Sequence, residues 1–194
     1  MRSGAGVFSA DRMTGIASQG QLRLSLLRIA LLAIPAVLLL GTTSGVLSGS
    51  GGSAWYDGLD KPAFNPPGWV FGLVWPILYI MQGLALSLVL HATGARLQRK
   101  ALVLFAAQFA LNLLWSPLFF GAHEVRLAAN VIVAMLITAL ATAVSFFRVR
   151  PAAGWLMVPY LAWLAFALAL NVAIVQLNPE TELASAGVEG PLAG

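Results

Sequence analysis

The chain of 194 residues has no cysteine. Disulfides, thiolate nucleophiles and cysteine-bound metals are thereby excluded. Histidine is almost as scarce: His91 and His123 are the only two, and both fall in expected loops. A buried histidine metal site is therefore not expected, and no metal or catalytic residue is assigned. Charge is scarce too, at 9% of residues, against roughly 25% in an ordinary soluble domain. A soluble fold could not cover its surface with so few charges, and 59% of the residues are hydrophobic. The expected class is an all-α integral membrane protein. The formal charge of +4 does not imply nucleic acid. The basic residues stand beside apolar runs, where they read as topology signals.

Five long apolar stretches are present, near 24–47, 67–90, 101–120, 127–147 and 153–177. Each has about 20 residues or slightly more, enough to cross a hydrocarbon layer of about 30 Å as a helix. The runs are continuous rather than alternating with a period of two, which favours helices over a barrel. Arg28, near the start of the first, is the one charged residue inside them. The expected fold is a five-transmembrane-helix bundle spanning 24–178, with the long first loop as a lid. Residues 1–23 are expected to be a disordered extension and 179–194 a flexible acidic tail. The first 47 residues also have the layout of a signal peptide, but the apolar run exceeds the usual length of about 7–15 residues. Losing it would leave four spans in place.

Alternate spans place Arg2, Arg12, Arg23, Arg28, Arg96, Arg99, Lys100, Arg148 and Arg150 on one side, and only Lys61 and Arg126 on the other. By the positive-inside bias the N-terminus faces the cytoplasm if the membrane is a bacterial inner membrane. Loop 55–65 then faces outside.

Polar and aromatic side chains recur at helical spacing inside the spans. Phe71, Trp75, Tyr79 and Gln82 share one face of the second span. Gln108, Asn112, Trp115 and Phe119 share one face of the third, and Tyr160, Trp163, Ala167 and Asn171 one face of the fifth. At about 100° per residue, steps of three and four stay on one side of a helix. Buried amides are costly in lipid unless paired, so these faces should turn inward. The pattern fits a pocket for a large, flat, mostly apolar ligand, walled by rings and offering a few amide groups. It also fits an interfacial ring belt with helix-joining amides that bind nothing. On the opposite face of the third span, Ala106 and Ala110 form a small-xxx-small pair suited to close packing between subunits, or to ordinary packing within the bundle.

Three motifs go further. Trp55 to Trp75 reads W-Y-x-x-L-x-K-P-x-x-x-P-P-x-W-x-F-x-x-V-W. Gln108 to Phe120 reads Q-x-x-L-N-x-x-W-S-x-x-F-F, and Pro159 to Asn171 reads P-Y-L-x-W-x-x-F-A-x-x-L-N. Together they resemble the translocator protein family, also called tryptophan-rich sensory protein or TspO/MBR, over roughly residues 25–177. The short loops and the Arg- and Ala-rich composition suggest a bacterial member. The resemblance implies a five-helix bundle, usually a homodimer, whose cavity is closed by the first loop. It implies binding of porphyrins such as protoporphyrin IX and of other flat apolar molecules, with no required cofactor. The cavity residues it implies include Tyr56, Trp75, Asn112 and Trp163, with Ala167 at a position that affects ligand fit. Phe71, Tyr79, Gln108, Trp115, Phe166 and Asn171 complete the candidate wall, and Trp55, Pro66, Pro67 and Trp69 the lid and its hinge. Asn112 is expected to donate a hydrogen bond to the ligand. One departure stands out: the stretch from Leu168 to Glu180 has neither Tyr nor a basic residue, so the family's proposed cholesterol motif is not met.

The implied function is a membrane receptor or translocator acting in tetrapyrrole transport, sensing or regulation. The alternative is light- or oxygen-dependent degradation of protoporphyrin. The spans offer no general base or nucleophile for it, so the chemistry would fall to the pigment and a cavity tryptophan. Proton- or ion-coupled transport usually places charges inside the membrane, and none is found there. Charge bias favours an inner bacterial membrane; the resemblance admits the outer.

Overall fold

A computed structural model describes residues 19–50 and 52–179. Among them there is no strand, and five helices are long and apolar enough to cross a membrane. The protein is a multi-pass integral membrane protein. Helix α1 spans Gln19–Leu47, the short α2 Ala54–Asp57, α3 Gly68–His91, α4 Gln98–Ser116, α5 Val125–Val149 and α6 Pro151–Leu177. A π-helical turn, Pro117–Gly121, extends α4.

The expected spans are all helices, but most begin earlier than apolarity alone indicates. Helix α1 starts at Gln19, inside the expected disordered extension 1–23. Helix α4 takes in Gln98, Arg99 and Lys100. Backbone hydrogen bonding does not stop where the hydrocarbon does, so polar first turns reach into the headgroup region. His91 is the last residue of α3 rather than part of a loop. Its helix end is tied by Gln98, whose Nε2 donates to the carbonyls of Val89 and Leu90 at 2.9 and 3.1 Å. The expectations for 1–18 and 180–194 lie outside the described residues.

The long helices form a closed ring. Helix α1 packs on α3, α3 on α6, α6 on α5, α5 on α4, and α4 returns to α1. Helix α1 turns Ala33, Val37 and Gly41 inward at a spacing of four while Leu31, Leu32, Leu39 and Leu40 stay exposed. That outer face is apolar because its solvent is lipid. Close approach is required twice on this seam. A Cβ on Gly83 would stand 2.7 Å from the Ile34 Cα, and one on Gly41 would meet the Tyr79 ring at 2.3 Å. The main core runs through the bundle and includes Phe105, Phe109, Ile132, Met135, Phe146, Met157 and Leu164. A second core at the α2 end gathers Leu59, Phe119, Val125, Ala128, Leu170 and Ile174.

Candidate ligand-binding site

The three striped helices converge. The Trp75 ring stacks on Tyr79 at 5.5 Å, one turn along α3, because residues four apart lie over one another. Trp115 of α4 lies 6.3 Å from it, and Trp163 of α6 meets it edge-on at 6.4 Å. Phe71 and Phe166 complete the wall around Trp163 at 5.7 and 5.3 Å. Edge-to-face and offset pairs of this kind each add about 0.5–1.5 kcal/mol beyond area burial.

Deeper along the stripes the rings give way to a polar network. Tyr79 Oη donates to Asn112 Oδ1 at 2.9 Å, and Asn112 Nδ2 donates to Tyr160 Oη at 3.2 Å. The Asn112 amide thus joins Tyr79 to Tyr160 inside the bundle, and its Nδ2 has a second N–H beyond the one given to Tyr160. One turn further in, Gln108 Nε2 donates to Gln82 Oε1 at 3.0 Å. Gln82 Nε2 in that pair has no hydrogen-bond partner, and higher up the same holds for the buried indole nitrogens of Trp115 and Trp163. Asn171 is buried at 2% exposure with both amide atoms unpartnered. It lies two turns beyond Trp163, level with the second core, beside Leu170 in sequence.

The connection 52–67 covers this end of the bundle. Ser53 caps α2 by accepting from the Tyr56 amide at 3.3 Å. Tyr56 packs edge-on against Phe119 and Phe120 at 6.0 and 5.5 Å, and Trp55 stacks on His123 at 4.1 Å. The π-helical turn supplies both phenylalanines. Tyr56 Oη donates to Asn65 Oδ1 at 3.1 Å, while Lys61 Nζ lies 4.8 Å from the Tyr56 ring centroid. Burial raises the Tyr56 hydroxyl pKa above its ordinary value of 10; the Asn65 bond opposes this and nearby Asp57 adds to it. Two hydrogen bonds tie the connection to the end of α6: the Asp60 amide donates to Asn178 Oδ1 at 2.9 Å, and Asn178 Nδ2 donates to the Asp60 carbonyl at 2.8 Å.

The candidate residues thus divide. Phe71, Trp75, Tyr79, Trp115, Trp163 and Phe166 form one aromatic cluster, with Asn112 and Gln108 beneath it. Tyr56 and Trp55 belong to the cover. Pro66 is half-buried and Pro67 precedes α3. Trp69 is 69% exposed in the first turn of α3, away from the cluster, as suits an interfacial tryptophan. Ala167 is half-buried, and Ala106 and Ala110 are exposed on the outer face of α4. Sequence reasoning left Asn65, His123 and Asn178 without a role. Their partners are distant in the chain or set by loop geometry, so no periodicity signals them. Between α3 and α6 a groove of about 440 Å³ adjoins the cluster, lined by Ile77, Met81, Pro159, Ala162, Trp163 and Phe166 among others.

A family profile described as TspO/MBR family matches residues 33–177. The chain belongs to the TspO/MBR family. It is similar to the tryptophan-rich protein TspO of Chlorobaculum tepidum, 42% identical over 150 residues, covering 76% of this chain and 94% of that protein. A tryptophan-rich sensory protein of Cereibacter sphaeroides is 43% identical over 124 residues, covering 64% of this chain and 77% of that one. The human translocator protein is 42% identical over 130 residues, 66% of this chain and 76% of the human one. All of the aromatic cluster lies within the stretch matched by the TspO/MBR profile.

Proposed function

We propose that this TspO/MBR protein binds porphyrins, protoporphyrin IX foremost, and other flat apolar ligands in the aromatic cluster, and that binding serves tetrapyrrole transport, sensing or regulation. One observation carries the reading. Indoles from three helices converge in a charge-free setting, and two of them keep buried, unpartnered N–H donors. Flat rings offer stacking surface to a macrocycle, and the free donors suit its acceptor atoms. The names of the relatives, sensory protein and translocator protein, agree with a ligand-handling role.

The rings now rest on one another, so a macrocycle enters by parting them. The connection 52–67 acts as the lid over that opening. Ala106 and Ala110 leave a smooth stripe on α4 against which a second copy packs to form a homodimer. Trp75→Ala removes the ring at the centre of the cluster, and Asn112→Ala releases Tyr79 and Tyr160. Porphyrin fluorescence titration should show Kd raised about tenfold or more in each, equivalent to about 1.4 kcal/mol. Affinity unchanged in both variants overturns the proposed seat.

A further inference from the structure

The α3–α6 groove is more than surface relief, because its inner wall is the outer wall of the cluster. Trp163 and Phe166 line the groove, and the same Trp163 ring meets Phe71 and Trp75 inside. The volume, about 440 Å³, falls in the range of roughly 300–1,000 Å³ typical of small-molecule sites. Ile77 and Met81 lie about 14–20 Å along α3, near the middle of a helix about 36 Å long. The groove therefore opens onto lipid tails.

Two features make this wall able to move. Trp163 Nε1 has no hydrogen-bond partner, so rotation of the indole breaks ring contacts but no hydrogen bond at nitrogen. Tyr79 and Tyr160, by contrast, are held through Asn112. In addition, each helix carries an internal proline beside the groove, Pro76 in α3 and Pro159 in α6. Each lacks the N–H that would bond four residues back, which leaves the helix able to bend there. The water-facing route is more firmly closed. It is held by Asn178 on both backbone groups of Asp60, by Tyr56 on Asn65 and by Trp55 on His123.

We propose that the α3–α6 groove is a lateral port through which a flat apolar ligand dissolved in the bilayer passes into the aromatic cluster, with the Trp163 indole as its door. The inference rests on the ligand reading above and adds the route. A ligand that partitions into hydrocarbon is concentrated where the port opens, and it need not recross water.

The test uses protoporphyrin IX with the full chain in phospholipid vesicles, followed by stopped-flow fluorescence. Ala162→Phe and Ile77→Phe each fill the groove from an exposed position, so neither asks the core to repack. Association and dissociation should both slow about tenfold, with Kd within about twofold. Leu140→Phe, on the exposed face of α5, should leave both rates unchanged. Unchanged rates in both groove variants, with binding intact, overturn the port and leave the porphyrin reading standing. A raised Kd without slowed entry makes the groove a seat rather than a passage and also overturns the port. Faster exchange in Asn178→Ala, with no slowing in the groove variants, assigns entry to the lid instead. Absence of saturable binding by the unsubstituted protein overturns both proposals.

Discussion

Gly83 sets the α1–α3 crossing by having no side chain. The atom nearest to a Cβ there is backbone, the Ile34 Cα at 2.7 Å, so no rotamer change can relieve the clash. Gly83→Ala must push two helices apart or bend one. Overpacking of this kind costs about 1–3 kcal/mol, and thermal unfolding in detergent should show a lowered Tm; an unchanged Tm contradicts the packing described. Gly41 illustrates the other case, since its neighbour is the Tyr79 ring, whose position the Asn112 bond fixes. At this scale the sequence was informative about faces. Phe71, Trp75 and Tyr79 point the same way because helical periodicity is a property of one chain segment. It was silent about partners. Pairing Gln82 with Gln108, and Asn112 with two tyrosines, depends on the axial register of α3, α4 and α6. That register is set by packing across the bundle, not by spacing within a helix.

At the scale of elements, the connection 52–67 is held to the bundle by ring contacts of Trp55, Tyr56 and Phe64, by the buried Leu59, and by two hydrogen bonds with Asn178. Helix α2 has only four residues, too short to persist without tertiary support. Its support comes from the π-helical turn beneath it and from Asn178 at the end of α6. Asn178→Ala removes both bonds to Asp60 while leaving the ring contacts. Amide hydrogen exchange over residues 55–65 should rise about tenfold, with the bundle helices unchanged; no change there would mean that the rings alone hold the segment. The existence of each membrane helix was legible because lipid demands long apolar runs with internally satisfied backbones. The early starts of α1 and α4 were not, since their first turns are polar. Nor was the π-helical turn: Pro117 signals a break, and the widened turn that carries Phe119 and Phe120 to Trp55 and Tyr56 depends on the cover above it.

The described residues form a ring of five long helices with their charges sorted to the two ends. Arg23 and Arg28 open α1, Arg96, Arg99 and Lys100 join α3 to α4, and Arg148 and Arg150 join α5 to α6. Alternation of the spans brings all seven to one end, and Lys61 and Arg126 stand at the other. Positive charge resists translocation, so in a bacterial inner membrane the arginine end is expected in the cytoplasm and the connection 52–67 on the far side. The natural absence of cysteine makes this testable without background. Arg99→Cys and Phe64→Cys each place one thiol at an exposed position, at opposite ends of the bundle. In cells stripped of any outer membrane, an impermeant maleimide should label Phe64→Cys at once and Arg99→Cys only after permeabilisation. The reverse pattern inverts the bundle and places the connection 52–67 on the cytoplasmic side. The lateral port would survive that inversion, because its mouth lies at mid-membrane, whereas a receptor facing the outside would not. Labelling therefore decides which compartment the connection 52–67 faces, independently of the route proposed for the ligand.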